Sequence, residues 1–161
     1  MNYAQIFTVG GTIDKVYFDA KSTYEVGPPN IAEVLSDIHL NLNFEVTSLM
    51  QKDSLEMTDE DRETVRQAVA TADSNMVIIT HGTDTMVLTA NALKDIKDKT
   101  IVLTGALAPA LFKSSDAMFN IGCAITAVQT KPPGAYIAMN GQIFDYDKVR
   151  KDVPNNRFVS L

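Results

Sequence analysis

MVIITHGTDTMVLTA, residues 76–90, reads in three parts. Met76, Val77, Ile78 and Ile79 form an apolar run rich in β-branched side chains, the signature of a strand buried on both faces. The run breaks into Thr80-His81-Gly82-Thr83-Asp84-Thr85, and apolar residues then recur at helical spacing. Strand, polar elbow and helix in succession make up the unit of a parallel α/β sheet. In such a sheet the elbow lies at the carboxyl edge, where unpaired helix N–H groups face solvent and ligands collect. Hydroxyls, a carboxylate, an imidazole and a glycine in so short a run exceed what a turn requires. This elbow is the first candidate site.

Working outward, further strands are expected near residues 5–9, 44–50, 100–104 and 135–139, alternating with helical segments. The alternation predicts an α/β fold of three layers, a mostly parallel sheet with helices on both faces, in a single domain. Asn30 is expected to cap one helix, and Thr58-Asp59-Glu60-Asp61 has the form of a capping box before another. The helix after the elbow is expected to run through Leu93 to about Ile96. Asn140-Gly141 predicts a tight hairpin turn with 142–144 as the returning strand. Residues 14–30 are polar and turn-rich without a sustained period, which predicts a mobile lid loop. The tail from Asp145 onward reads as charged and irregular.

If those strands run parallel, Thr12, Ser54, Thr83, Asp84 and the 105–115 loop all emerge along one edge. Each has a plainer reading. Gly10-Gly11-Thr12 is also an ordinary glycine turn with a capping threonine, Tyr24 a packing anchor, and Asp53 and Glu56 solvated loop carboxylates. Lys148, Arg150 and Lys151 read as a solvated charge run.

Composition narrows the chemistry. The chain of 161 residues carries 14 basic and 20 acidic side chains, a net charge of −6, which gives a nucleic-acid backbone no electrostatic support. One cysteine, Cys123, rules out disulfides within the chain and is expected as a buried thiol. No apolar run is long enough to span a bilayer, and MNYAQIFTVGG lacks the character of a signal peptide, so a cytoplasmic protein without membrane partners is expected. With two histidines and that one thiol, a His- or Cys-rich zinc site cannot be assembled, which leaves only a carboxylate site for magnesium open. Neither a phosphate-binding loop nor a G-x-S-x-G elbow is present. What remains is threonine hydroxyl chemistry, and a threonine becomes a nucleophile only when a base takes its proton.

The motifs Thr8-Val9-Gly10-Gly11-Thr12-Ile13, His81-Gly82-Thr83-Asp84-Thr85-Met86, Val102-Leu103-Thr104-Gly105-Ala106 and Ser115-Asp116 with Phe119-Asn120 together resemble the bacterial-type L-asparaginase family. The resemblance spans residues 1–161 as an amino-terminal-type catalytic domain. It implies the short class of such proteins, without the family's second, carboxyl-terminal domain.

The resemblance also implies an activity: release of ammonia from L-asparagine, with L-glutamine as the other amide to consider, without metal or cofactor, in a homo-oligomer (dimer or tetramer). Position by position it places the nucleophile at Thr12 and a lid tyrosine at Tyr24. A second catalytic threonine, aspartate and lysine fall at Thr83, Asp84 and Lys151, while Gly11, Ser54, Glu56, Gly82 and Ala106 fall at substrate-binding positions. Two other functions compete with it: a catalytically weak amino-acid-binding or regulatory domain, and the amide-hydrolysing subunit of a transfer-RNA amidotransferase.

Overall fold

The computed structural model describes residues 3–161. Its strands are β1 (Tyr3–Gly10), β2 (Lys15–Phe18), β3 (Thr23–Val26), β4 (Asn43–Lys52), β5 (Met76–Thr80), β6 (Thr100–Thr104), β7 (Gly134–Met139), β8 (Gln142–Asp145), β9 (Val149–Asp152) and β10 (Arg157–Ser160). Its α-helices are α1 (Ile31–Asp37), α2 (Asp59–Thr71), α3 (Met86–Ala92) and α4 (Ala117–Thr130).

Six strands form the main sheet in the order β4-β1-β5-β6-β7-β8, the first five parallel and β8 antiparallel. The chain leaves β1 for β4 on one side and resumes at β5 on the other, so the strand order reverses between β1 and β5. At such a switch point the connections diverge to opposite faces and open a crevice at the carboxyl ends.

Alternation along the strands sends side chains to two cores. Ile6, Ile78, Val102 and Ala138 face α1 and α4, where Ile31, Leu35, Ile121, Ala124 and Val128 cover them. Phe7, Ile79, Leu103 and Ile137 face α2 and α3, against Val65, Val69, Met86 and Leu93. Because β5 and β6 are covered on both sides, their sequences are continuous apolar runs rather than alternating ones. Truncating a fully buried side chain such as Ile78 or Leu103 to alanine costs about 2–5 kcal/mol. The expected three-layer α/β architecture is the one observed.

Local expectations fare unevenly. The capping box is formed: the Thr58 hydroxyl accepts from Asp61 N, and the Asp61 carboxylate accepts from Thr58 N. The Asn140-Gly141 turn is formed too, both residues in the left-handed region, with β8 returning against β7. Asn30 precedes α1 but makes no side-chain cap; its amide instead donates to Ile13 O and Asp14 Oδ1. The helix after the elbow ends at Ala92, short of Ile96.

Two segments read as irregular are hairpins. Residues 15–26 pair as β2 against β3, Tyr17 opposite Tyr24, so the expected lid is an ordered two-stranded flap. Residues 149–160 pair as β9 against β10, anchored where Phe158 N donates to Asn140 Oδ1. In the second hairpin Val149 and Phe158 are buried in the same core as α3, an apolar pair too widely spaced to register as a pattern among the charges.

Candidate active site

Gly11 and Gly82 touch at the switch point. A Cβ on Gly11 would lie 2.4 Å from both Cα and N of Gly82, and one on Gly82 would lie 2.7 Å from Cβ and Oγ of Ser54. Three strand exits, those of β1, β4 and β5, thus pack with no room for a side chain at either glycine. Gly11 also holds φ at +91°, a region that an L side chain rarely adopts. One residue beyond each glycine stand Thr12, half-buried, and Thr83, buried. The two threonine motifs therefore converge at one edge, as the topology leads one to expect.

Lys151 completes the cluster. Its ammonium donates to Thr83 Oγ1 and to Asp84 Oδ1, 2.8 Å each. The twofold alternation of β9 turns Val149 and Lys151 to the same side, so the burial of Val149 in the α3-side core carries the Lys151 ammonium to the elbow. The Lys151 side chain is only 13% exposed. Because its ammonium occupies a Thr83 lone pair, the Thr83 O–H is left to donate elsewhere.

Ser54 is buried beneath the elbow. Its hydroxyl accepts from Thr85 N at 3.2 Å, and its carbonyl accepts from Thr85 Oγ1 at 2.8 Å, so its own O–H proton is free to donate. Ala106 is buried in the α4-side core, just past the β6 exit. Glu56 is exposed, and with Lys15, Tyr24, Glu25, Gln51 and Asp53 it lines a cleft of about 310 Å³ between the flap and the β4–α2 connection. The Lys15–Asp53 ion pair, 3.5 Å, ties the flap to that connection. Tyr24 itself is half-exposed, its ring edge-on to Tyr17 and Phe112.

Supporting groups lie behind these. His81 is wholly buried; its Nδ1 donates to Gly82 O and its Nε2 accepts from the Thr89 hydroxyl, 2.7 Å each. Burial, together with the charge of nearby Arg62, pushes its pKa down to about 4 against the opposing Gly82 bond, so the ring is neutral. The Asp116 carboxylate accepts from Leu107 N and Ala108 N, while the Asn120 amide donates to Gly105 O and Asp116 Oδ2, which fixes the β6 exit.

Asp14 follows Thr12 at the base of the flap. One carboxylate oxygen accepts from the backbone and side-chain nitrogens of Asn30, the other is buried without a protein partner, and burial raises the pKa to about 6. Sequence reasoning gives Asp14 no role, because nothing local in GGTID distinguishes a buried carboxylate from a solvated one. Cys123, expected as a buried thiol, is only half-buried.

Among the described residues no cluster of His, Cys, Asp and Glu is arranged to hold a metal ion, and no helix is long and apolar enough to cross a membrane.

Fold and edge cluster together define a doubly wound α/β protein whose polar groups gather at the switch point of the sheet. Residues 5–158 match the family described as "Asparaginase, N-terminal", and the chain belongs to that family. It is 35% identical over 112 residues to an L-asparaginase of Thermococcus kodakarensis, a match that covers 66% of this chain and 34% of that protein. A solved structure titled as the thermostable L-asparaginase from the same organism superposes with a TM-score of 0.86 at 27% identity, over 99% of this chain and 51% of that one. A shorter match, 42% over 71 residues, is to a glutamyl-tRNA(Gln) amidotransferase component from Methanococcus vannielii; it covers 43% of this chain and 17% of the relative. The chain thus spans about half the length of the solved relative and less of these two curated ones.

Proposed function

We propose that this chain is an amidohydrolase that releases ammonia from L-asparagine to give L-aspartate, with residues 1–161 acting as the catalytic domain. The observation that carries this reading is the Lys151 ammonium, held 2.8 Å from both Thr83 Oγ1 and Asp84 Oδ1 at the edge where Thr12 also emerges. A lone structural ion pair needs no threonine hydroxyl, whereas proton traffic around a bound amide does.

In this mechanism the Thr12 hydroxyl oxygen attacks the side-chain amide carbon as its proton passes to a neighbouring base, with Tyr24 supplied from the flap. The tetrahedral oxyanion takes hydrogen bonds from backbone N–H groups at the strand exits. Its collapse, with a proton delivered to nitrogen, expels ammonia and leaves an ester on Thr12. Water then enters from the Thr83 side, attacks the ester, and frees aspartate and the Thr12 hydroxyl.

Substrate recognition divides by charge. The ammonium of a free amino acid needs a carboxylate, which Asp84 offers through the oxygen that Lys151 does not occupy. The substrate carboxylate needs donors, which the Ser54 hydroxyl and the Thr83 hydroxyl supply. Gly11, Gly82 and Ala106 contribute backbone at close quarters, and Glu56 borders the approach. The resemblance to the family extends this reading to a metal-free homo-oligomer in the cytoplasm.

The match to the amidotransferase component favours a second reading, hydrolysis of an amide whose ammonia serves a partner enzyme. The two separate in one assay. Purified protein is incubated with L-asparagine or L-glutamine and free ammonia is measured; turnover of asparagine supports the first reading, and turnover of glutamine alone supports the second. Thr12→Ala is expected to abolish release without loss of fold, and near-normal turnover in that variant would refute the assignment.

A further inference from the structure

The flap carrying Tyr24 is seated on an aromatic side chain that no motif singles out. Phe112 lies in the connection between β6 and α4, and its ring meets Tyr24 edge to face, with centroids 5.5 Å apart and an interplanar angle of 77°. Tyr17 closes on the other side of Tyr24, at 5.3 Å and 61°. Both are geometries that aromatic quadrupoles favour. The lid tyrosine is thereby held between its hairpin partner and a residue of a different loop.

The connection that offers Phe112 is pinned by hydrogen bonds. Phe112 N donates to Pro109 O, and Phe112 O accepts from Ser115 N, so its backbone is bonded on both sides. The same loop is fastened at one end by Asp116 on Leu107 N and Ala108 N. It is joined to the Thr12 turn where Ala110 N donates to Ile13 O. The flap is hinged from that same turn, Gly27 N donating to Asp14 O. Seat and hinge therefore share a frame, and the Phe112–Tyr24 contact holds the flap alongside the Lys15–Asp53 ion pair.

Phe112 is 40% exposed and takes no part in either core. We infer that Phe112 is a positioning residue: it docks the flap so that the Tyr24 phenol is presented toward the Thr12 side of the site. This rests on the role proposed above for Tyr24, while the docking itself does not depend on that role.

The test pairs kinetics with a reporter. The chain has no tryptophan, so Tyr24→Trp places a single indole at the seat. Adding Phe112→Leu to that variant is expected to lower its fluorescence anisotropy and shift its emission to the red; unchanged emission and anisotropy would overturn the docking. In the otherwise native chain Phe112→Leu is expected to lower kcat for ammonia release by about two- to tenfold, the range that one edge-to-face pair supports, with little change in KM. Phe112→Tyr, which keeps the ring, is expected to restore the rate. In a Tyr24→Ala background the further effect of Phe112→Leu is expected to vanish, and an equal loss in both backgrounds would make Phe112 merely structural. Absence of ammonia release from the native chain would defeat the functional reading alone, since the anisotropy change still reports the seat.

Discussion

Lys151 reaches Thr83 across 68 residues of sequence, and the same ammonium grips Asp84, the next residue along. One cation between a hydroxyl and a carboxylate fixes the direction of every proton in the group: nitrogen donates twice, and the Thr83 O–H points onward. Lys151→Ala removes both bonds and leaves Asp84, 39% exposed, to be solvated by water. Ammonia release is expected to fall by about a hundredfold or more, the usual scale for losing a proton-handling group. Stability is expected to change by only about 1 kcal/mol, because the exposed Asp84 carboxylate left behind regains water. Turnover and a urea titration on the same preparation check both halves, and loss of turnover matched by loss of fold would defeat the prediction.

The contact of Gly11 with Gly82 makes a sharper test of convergence. Alanine at position 11 must hold φ near +91° and place its Cβ 2.4 Å from the Gly82 backbone. The backbone of the β5 exit cannot give way as a flexible side chain would, so the two loops must separate. Catalytic geometry is unforgiving at that scale, since a misplacement of about 1 Å costs on the order of a hundredfold in rate. Gly11→Ala is therefore expected to reduce turnover at least that much, with a lowered Tm. An active, fully stable variant would mean that Thr12 and Thr83 do not work as a unit.

His81 stands one step behind the elbow and is expected to remain neutral well below the ordinary histidine range. Its pKa lies near 4 in the folded chain and 6.5 when exposed, chiefly because the buried ring cannot be solvated as a cation. Between those values the unfolded chain holds the extra proton, so stability rises with pH across the window and is lost as pH falls from 6.5 toward 4. The full effect is about 3 kcal/mol. Nitrogen-detected NMR at pH 5 should find His81 with its proton on Nδ1 alone; a doubly protonated ring there would contradict the assignment.

Much of this was legible from residues alone, and the reason is local. β5 and β6 are covered on both faces, so their runs of Val, Ile and Leu name them as central strands, and the parallel order puts their exits on one edge. Thr12, Thr83 and Asp84 follow strand ends, and that alone places them on the edge in the sequence. Lys151 was reachable only through the family resemblance. Its placement depends on burial of Val149 and Phe158, two apolar residues on opposite sides of the Val153-Pro154-Asn155-Asn156 turn, too few to outweigh the surrounding charges. The flap escapes for a related reason: β2 and β3 are short and have no buried residue, and their pairing rests on a register that alternation of burial does not mark. Asp14 and Phe112 carry no sequence signal, since burial of one beside Asn30 and seating of the other on Tyr24 are contacts between segments distant in sequence.

Asp14 supplies the opposite pH dependence to His81. Asp14 is 2% exposed, and burial lifts the pKa of its carboxyl from 3.8 to about 6 against the two Asn30 bonds that favour ionisation. Between those values the folded chain holds the extra proton, so stability falls as pH rises through the window, by about 3 kcal/mol in full. Over roughly pH 4–6 the contributions of the two groups therefore oppose each other and largely cancel. Asp14→Asn keeps an oxygen for Asn30 and removes the charge. At pH 7.5 it is expected to be more stable than the native chain by up to about 3 kcal/mol. At pH 3 the two should be equal. Between them the His81 dependence is exposed, so the variant should lose stability steeply on acidification where the native chain does not. Urea midpoints at pH 3, 5 and 7.5 decide it: a variant less stable than the native chain at pH 7.5 would show that burial does not disfavour the Asp14 carboxylate.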